Sequence, residues 1–342
     1  MMSRSNAALA CFLGCLLFTQ PGYAQGGTEA TCALDGYAPS IRPDPPGTAT
    51  TIGVGMGLTD LNSIDDVNQT ITLDALLTLQ WTDHRLDSAA GCRFDRTAIW
   101  IPDIQLLNSA TTQTRQPPEA LVKPDGRVIS TIRYAATIAS TANIAKFPFD
   151  ERTILLQLAS LRYDKADLAI HVIPEWTGRV PEVTIPDWNI GEPIATVTEI
   201  NLPRVDRTIP VFEFRIPASR LADYYVYKFV FPLALIVMMS WSVFWVNPQS
   251  LSPQLQLAAT SMLTLIAYQF TVNDLLPRVG YLTSMDQYVL SSSLLVFLAL
   301  VEALITGRLA STGRVTTAET IDRISRWLFP ASYAAIIFIT LW

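Results

Sequence analysis

The sequence predicts an all-β, immunoglobulin-like sandwich outside the membrane, followed by a bundle of four transmembrane helices. Half of the 342 residues are hydrophobic and the mean hydropathy is +0.29. These values are too apolar for an ordinary soluble protein and too polar for a membrane bundle alone. Short runs that alternate apolar and polar residues precede Tyr224, and long apolar runs follow it. The change at Tyr224 therefore predicts two domains in different environments.

Residues 1–24 have the pattern of a cleaved signal peptide. Arg4 precedes an apolar run, and Gly22 and Ala24 offer small side chains near the predicted cleavage site. Export would place the next domain in the periplasm or outside the cell. Of the four cysteines, only Cys32 and Cys92 would remain after cleavage. An exported domain permits a disulfide between them, and two separate thiols are the alternative.

Residues 25–222 predict the β-sandwich. Apolar and polar residues alternate in the runs 71–81, 128–138 and 153–161, and Pro/Gly and Pro/Asp turn signals separate such runs. The apolar residues of the first run share one face: Ile71, Leu73, Ala75, Leu77, Leu79 and Trp81. Gly53, Gly55 and Gly57 also alternate at strand spacing. Many short strands without a helix-period stretch favour a sandwich.

Residues 223–342 predict the membrane domain. Its four apolar segments are 224–246, 254–272, 287–307 and 326–342. The first three are comfortably long enough to cross the hydrocarbon core as helices, and the last reaches the end of the chain. Between the third and fourth segments lies a basic stretch with Arg308, Arg314, Arg323 and Arg326. Four crossings after an exported domain leave this stretch inside the cell, in agreement with the positive-inside rule.

The second apolar segment carries a regular stripe. Its members recur at spacings of four and three and so share one helix face: Gln256, Thr260, Leu263, Ala267 and Phe270. Polar groups in a membrane helix need protein partners or water. The stripe therefore favours either hydrogen bonds between helices of one bundle or a helix that lines a wet pore, and periodicity alone leaves both open.

Six short blocks occur in an order that characterises one family. They are Ile64–Thr70, Trp81–Leu86, Trp100–Asp103, Phe147–Asp150, Tyr224-Tyr225 with Pro232 after it, and Leu276–Arg278. With them, residues 50–342 resemble the pentameric ligand-gated ion channels, the Cys-loop receptor superfamily. The signature loop Phe147–Asp150 is flanked by Ser140 and Ile154, where animal receptors have cysteines. The resemblance is therefore closer to the bacterial branch that lacks the Cys-loop disulfide.

The resemblance implies a homopentamer, in which each chain has four identical partners and inorganic ions cross a central pore. Leu263 then corresponds to the main hydrophobic gate and Phe270 to a second constriction nearer the outside. Gln256 and Thr260 would form a polar filter on the inner side.

The resemblance also implies a coupling region between the domains. Arg220 matches an arginine at the domain junction, and Asp66 and Asp150 lie in loops expected to face the membrane. Further coupling residues are expected in the signature loop and in the link after the second helix: Phe147, Pro148, Pro277 and Tyr281. A purely structural salt-bridge cluster is the alternative.

The agonist site departs from the aromatic box of many animal members. The resemblance places Leu76, Leu107 and Leu161 at three box positions, and Tyr163 is the nearest ring. Such a pocket disfavours an amine, because it lacks the rings that attract a cation. It suits an apolar or anionic small molecule, with Arg133 or Arg162 as a partner, or it is silent.

Proton gating is a further hypothesis. Histidine is the side chain that ordinarily titrates near neutral pH, and the chain has His84 and His171. His84 lies in a structural block and is expected to pack rather than to sense protons.

Charge selectivity rests on weaker signals. The stretch Ser252-Pro253-Gln254 before the pore stripe has neither the acid of cation-selective relatives nor the base of anion-selective ones. Residues 25–222 contain 24 acidic and 17 basic side chains. Five such domains would concentrate cations around the pore, so we expect cation selectivity.

Other functional classes have little support. The sequence has no nucleophile elbow, paired-histidine metal motif or phosphate-binding loop, so we expect no enzyme, cofactor or metal site. With a net charge of −6 and no basic stripe, nucleic acid is not an expected partner. The expected location is the bacterial inner membrane, in contact with lipid. The alternative function is that of a non-conducting, membrane-anchored β-sandwich sensor or binding protein.

Overall fold

A computed structural model describes residues 32–114, 119–140, 143–273 and 279–341. The predicted signal peptide and Pro277 lie outside these ranges. Within them, a β-sandwich is followed by long helices, which confirms the predicted fold class.

The larger sheet of the sandwich has the strand order β10-β1-β2-β7-β6-β3, with β9 on β1 and β5 on β7. Its strands are β1 (Thr50–Asp65), β2 (Thr70–Thr82), β3 (Arg93–Asp95), β5 (Ser109–Thr114), β6 (Glu119–Val122), β7 (Arg127–Ala139), β9 (Leu168–Val172) and β10 (Gly178–Arg179). The alternating residues of β2 explain its place at the centre. The side chains on the inner face are all at most 2% exposed: Ile71, Leu73, Ala75, Leu77, Leu79 and Trp81.

The smaller sheet has the order β11-β13-β8-β4, with β12 on β13. Its strands are β4 (Ile104–Leu106), β8 (Glu151–Ser160), β11 (Trp188–Ile190), β12 (Ile194–Leu202) and β13 (Arg207–Arg220). Leu156, Leu158, Phe212 and Phe214 on β8 and β13 are fully buried in one core with residues of the larger sheet. Since β13 ends at Arg220, it delivers that arginine directly to the start of the membrane domain.

Two features tie loops to the sandwich. A disulfide joins Cys32 to Cys92, whose Cα atoms are 5.6 Å apart. Gly53 and Gly55 are strand glycines of β1, because a Cβ atom there would lie 2.5 Å from the Ile173 side chain or 2.3 Å from that of Trp176. Their missing side chains let the segment after β9 pack against β1.

The block after β2 forms a buried polar anchor. Asp83 is fully buried and begins a short 3₁₀ helix. Its carboxylate accepts hydrogen bonds from Arg85 Nη2 at 2.6 Å and from the Tyr37 hydroxyl at 2.7 Å. His84 does not pack as expected. Its side chain is 79% exposed, with Nδ1 3.5 Å from Asp87 Oδ1, because Asp83 rather than His84 points inward.

Four helices in the described part of the chain are long and apolar enough to cross a membrane. They are the first helix (Asp223–Trp245), the second (Leu251–Asn273), the third (Ser284–Ser311) and the fourth (Val315–Leu341). The fourth begins eleven residues before the predicted start at 326. The first turns of this helix are polar. The apolar run in the sequence therefore predicts only the part of the helix that can lie in the hydrocarbon core. The connection to the third helix is correspondingly short, at residues 312–314.

Candidate functional site

A cluster of two arginines and two aspartates lies where the sandwich meets the helices. Arg220 Nε donates to Asp150 Oδ1 at 2.7 Å, and Arg220 Nη2 donates to Asp66 Oδ2 at 2.7 Å. Arg152 Nη2 donates to Asp66 Oδ1 at 2.5 Å and lies 3.4 Å from Asp150 Oδ2. Asp66 follows β1, Asp150 precedes β8, and Arg220 ends β13. The cluster therefore joins three separate parts of the sandwich.

Aromatic rings surround the arginines of this cluster. The Arg220 guanidinium carbon lies 4.3 Å from the Trp188 ring centroid, 4.8 Å from that of Phe147 and 5.8 Å from that of Tyr225. Arg152 is also 4.3 Å from the Trp188 ring. Stacked rings exclude water while they attract the cations through their faces. The ion pairs are thus held in a largely dry setting.

Arg220 keeps its charge in this setting. Burial lowers the pKa of its guanidinium, but the hydrogen bonds and charges of Asp150 and Asp66 outweigh that effect and hold the pKa above its usual value. A buried arginine that lost one of these partners would leave an uncompensated charge.

The signature loop contacts the membrane domain directly. Phe147 is 1% exposed and packs in the core of the helical bundle, together with Phe229 and Met285. The backbone N–H groups of Ser284 and Met285, in the first turn of the third helix, donate to the carbonyls of Ala145 and Phe147 at 2.8 and 3.2 Å. A helix start has N–H groups without intrahelical partners, and the loop supplies acceptors for two of them.

Tyr281 joins the same contact. Its hydroxyl accepts a hydrogen bond from the Ile144 backbone N–H at 2.9 Å. The peptide bond that joins Phe147 to Pro148 in this loop is cis. The structure thus brings together the predicted coupling residues Asp66, Phe147, Pro148, Asp150, Arg220 and Tyr281, while Pro277 lies outside the described residues.

The predicted pore stripe lies on the outer face of the second helix. Its members are all exposed in the single chain: Gln256, Thr260, Leu263, Ala267 and Phe270. Leu263 is 69% and Phe270 is 71% exposed. The opposite face packs inside the subunit through Ala258, Ser261 and Leu265. The stripe is therefore free to face other copies of the chain or a water-filled space.

Hydrogen bonds separate two groups of polar side chains on this helix. Gln269 Nε2 donates to Ser293 Oγ of the third helix at 2.7 Å, so it serves the bundle. Thr260 Oγ1 donates to the Gln256 carbonyl at 2.7 Å, and Thr264 Oγ1 donates to the Thr260 carbonyl at 2.8 Å. The exposed threonines need no partner on another helix, which disfavours bundle hydrogen bonding as the reason for the stripe.

Gln254 is not at the mouth of the stripe. Its side chain is fully buried, and neither amide atom has a hydrogen-bond partner among the described residues. The Gln254 side chain therefore points into its own subunit, and its lack of charge does not describe the pore entrance.

The predicted ligand residues form two separate groups. Leu76 and Arg133 face each other in register on β2 and β7 of the larger sheet. Leu107 and Leu161 belong to the smaller sheet side, where Leu107 packs near Ile209 and Leu161 is 53% exposed. Within the described residues, the first group thus lies on the larger sheet and the second beside the smaller sheet.

Tyr163 is a core residue rather than a ligand-binding ring. It is 9% exposed, its hydroxyl accepts a hydrogen bond from Trp100 Nε1 at 2.9 Å, and the two ring centroids are 5.8 Å apart. Arg162 does remain exposed, beside a cavity of about 500 Å³ that Arg96, Trp100 and Asp103 help to line. The strand end at Ser160 turns Tyr163 inward, which residue type alone does not reveal.

Three further residues belong to the cluster: Arg152 and Trp188, which the sequence did not single out, and Tyr225, which the family block names without a coupling role. Arg152 carried a usable signal, because it is two residues beyond Asp150 at the start of a strand, where such residues share a face. Trp188 and Tyr225 come from distant elements, so only the fold brings them near. Within the described ranges, no group of three or more His, Cys, Asp or Glu side chains could hold a metal ion.

Two family models match the chain. The model described as neurotransmitter-gated ion-channel ligand binding domain matches residues 30–194. The model described as neurotransmitter-gated ion-channel transmembrane region matches residues 229–314. The first match lies within the sandwich and the second within the helices, and most of β12 and all of β13 lie between the two matches.

Similar proteins come from bacteria and animals. The proton-gated ion channel of Gloeobacter violaceus is 26% identical over 340 residues, which cover 97% of this chain and 91% of the relative. The gamma-aminobutyric acid receptor subunit beta of Caenorhabditis elegans is 26% identical over 304 residues, 83% of this chain and 54% of the relative. Subunit beta-4 of Gallus gallus is 26% identical over 288 residues, 79% of this chain and 57% of the relative. The chain thus spans little more than half of these animal relatives.

Proposed function

The chain belongs to the pentameric ligand-gated ion channel superfamily, and on this premise we propose that five identical copies form a cation-selective channel that an extracellular stimulus opens. Members of this family are ion channels, so the chain is not an enzyme. We place it in the bacterial branch without the Cys-loop disulfide. Ser140 and Ile154 flank the signature loop, and the disulfide of the described residues joins Cys32 and Cys92 elsewhere.

The observation that carries the proposal is the exposed face of the second helix. Leu263 and Phe270 are large apolar side chains that remain about two-thirds exposed or more in the subunit. Polar Gln256 and Thr260 continue the same face toward the inner end. Five such faces around an axis give apolar rings that stop ions by dewetting, above a polar constriction.

The junction cluster supports transmission from the sandwich to this helix. Arg220 links Asp66 and Asp150, and the signature loop next to Asp150 bonds the start of the third helix. A change in the sandwich that moves either loop therefore reaches the helices through short, buried contacts. A salt-bridge cluster that only stabilised the sandwich would not require the signature loop to bond the third helix directly.

The stimulus is a proton or a small molecule. The bacterial relative is named a proton-gated channel and the animal relatives gamma-aminobutyric acid receptor subunits. The split of the predicted ligand residues between two sheets fits a site between neighbouring subunits. Leu76 and Arg133 would come from one copy, and Leu107, Leu161 and Arg162 from the next.

The channel is proposed to lie in the bacterial inner membrane with its β-domain in the periplasm. The four helices with the lengths given above fit four crossings. The predicted signal peptide and the basic side chains between the third and fourth segments support this orientation.

The proposal is tested by current recording from the full chain with acidic steps and a panel of small amines and carboxylates. Leu263→Ser is expected to raise the resting current by at least about tenfold, because each copy loses about 1.5–3 kcal/mol of hydrophobic free energy at the gate and about 1.4 kcal/mol corresponds to a factor of ten. Surface pentamers should remain unchanged.

The matched control is Leu298→Ser, an exposed leucine on the third helix. It should leave the resting current at the level of the unsubstituted chain. A protein that reaches the surface as a monomer, or pentamers without current in both the unsubstituted and Leu263→Ser forms, would favour the non-conducting sensor instead.

A further inference from the structure

We propose that Arg152 is a second positioning residue of the coupling cluster, which holds Asp66 against Asp150 independently of Arg220. The β1–β2 loop and the signature loop would then move as one unit. The expected effect on gating rests on the proposed channel function, whereas the tether itself does not.

The contacts of Asp66 give the first argument. Its carboxylate is shared, with Oδ2 2.7 Å from Arg220 Nη2 and Oδ1 2.5 Å from Arg152 Nη2. Each arginine uses a different oxygen, so neither contact replaces the other. Arg220 belongs to the segment that enters the first helix, whereas Arg152 belongs to β8 next to the signature loop. Among the side-chain contacts of Asp66 with described residues, the Arg152 contact ties Asp66 to that loop without passing through the membrane-linked strand. At the other end of the β1–β2 loop, the Ser140 N–H donates to the Gln69 carbonyl at 2.8 Å.

Burial and charge give the second argument. The side chains of Arg152, Arg220 and Asp150 are 5% or less exposed, and that of Asp66 is 14% exposed. Two carboxylates this close in a dry setting repel each other unless cations balance them. With Arg220 alone the cluster would carry one uncompensated negative charge, and Arg152 makes it neutral.

Trp188 gives the third argument. It is 6% exposed and pairs in register with Arg220 across β11 and β13. Both guanidinium groups lie 4.3 Å from its ring. The ring fixes where Arg152 and Arg220 can sit, and Arg152 Nε makes no hydrogen bond of its own among the described residues. The position of Arg152 thus depends on Asp66, Asp150 and Trp188.

The contact between Arg152 and Asp66 matters when the channel opens. If the membrane-linked strand shifts and Arg220 moves away from Asp66, the Arg152 contact keeps the carboxylate in place and charge-balanced. Asp66 then stays close enough to bond Arg220 again when the channel closes. Loss of Arg152 should free the β1–β2 loop in the resting protein and weaken the energetic coupling between Asp66 and channel opening.

Hydrogen exchange of the purified full chain tests the tether without any current. In Arg152→Gln, amides of the β1–β2 loop around Val67 and Asn68 should exchange at least about threefold faster than in the unsubstituted protein. Arg152→Lys keeps the charge but not the planar fork, so it should give an intermediate rate. Unchanged loop exchange in both variants would overturn the proposal, and if Arg152→Gln does not assemble, Arg152→Lys decides.

Current recording tests the gating effect with a double-mutant cycle. Arg152→Gln and Asp66→Asn should each change the activation midpoint by some factor. The factor for the double variant should be smaller, by on the order of tenfold, than the product of the two single-variant factors. A merely structural role would lower the number of surface pentamers and leave the two shifts independent. Independent shifts at normal surface density count against Arg152.

The matched control is the exposed ion pair of Arg93 and Glu119, whose side chains are 68% and 58% exposed. Arg93→Gln and Glu119→Gln should leave the loop exchange and the activation midpoint unchanged. If no stimulus opens the unsubstituted chain, the proposed function fails while the exchange measurement still decides whether Arg152 tethers Asp66.

Discussion

Phe147 is a single side chain that belongs to both domains. It comes from the signature loop of the sandwich, yet its ring is buried in the core of the helices and lies 4.8 Å from the Tyr225 ring centroid. The Phe147 ring centroid also lies 4.8 Å from the Arg220 guanidinium carbon. The same ring therefore fills apolar space in the membrane domain and shields an ion pair at the junction.

Replacing Phe147 should destabilise the link between the domains. We expect Phe147→Ala to cost about 3–5 kcal/mol, as a large buried ring is removed and a cavity remains. Thermal unfolding of the detergent-solubilised pentamer should then begin several degrees lower. Phe149→Ala is the control, because Phe149 is on the same loop but 43% exposed. Equal losses in the two variants would contradict the role given to Phe147.

At the scale of residues, the sequence predicted best those positions that a motif marks. Asp66, Asp150 and Arg220 were expected at the junction through the family resemblance, and they meet there. His84 and Tyr163 were misjudged, because the direction of a side chain at a strand end depends on local turns. The spacing of Arg152 from Asp150 indicates a shared strand face, but only the fold places Trp188 and Asp66 beside Arg152.

The third helix is the element that receives the signature loop. Its first N–H groups bond to loop carbonyls, and Thr283 caps the same end by accepting from Asp286 N while Asp286 accepts from Thr283 N. Tyr281, just before this cap, bonds the loop at Ile144. The start of the third helix is thus bound directly to the sandwich through the signature loop.

Tyr281→Phe isolates one of these bonds. Removing the hydroxyl leaves the Ile144 N–H without its acceptor and should cost about 1 kcal/mol, close to a fivefold change in the opening equilibrium. The activation midpoint should shift by that factor at unchanged surface expression. Tyr227→Phe is the control, on a first-helix tyrosine that is 74% exposed. If the two variants gave the same midpoint, the bond would have no part in gating.

Apolar runs located all four membrane helices, but not their ends. The second helix starts at Leu251 rather than at 254, and the fourth at Val315 rather than at 326. Each helix continues beyond the hydrocarbon with polar side chains, and an apolar run in the sequence does not include those residues. The strands were easier to predict, because the burial of β2 follows the period of two except at Asp74, which is buried on the other face.

On the scale of the whole molecule, the charge of the sandwich predicts selectivity. Its excess of seven negative charges per subunit, among residues 25–222, is multiplied by five in the proposed assembly. The resulting potential attracts cations to the outer mouth and is screened over about 8–10 Å in physiological salt.

Ion substitution measures this effect. In a sodium chloride gradient, the reversal potential should follow sodium, and replacing chloride by a large organic anion should leave it nearly unchanged. Raising the salt concentration on both sides should reduce cation conductance relative to bulk conductivity, since the attraction is screened. A reversal potential that follows chloride would refute cation selectivity.

The threonine hydroxyls of the second helix have a consequence for the ions themselves. The hydroxyl groups of Thr260 and Thr264 donate hydrogen bonds to carbonyls of their own helix. Toward the axis of the proposed pore they can therefore present only oxygen lone pairs. A water molecule that donates one hydrogen to this wall still has its second hydrogen and its oxygen for the passing ion. The hydroxyls themselves can contact a sodium ion through their oxygens, whereas they have no hydrogen to offer a chloride ion.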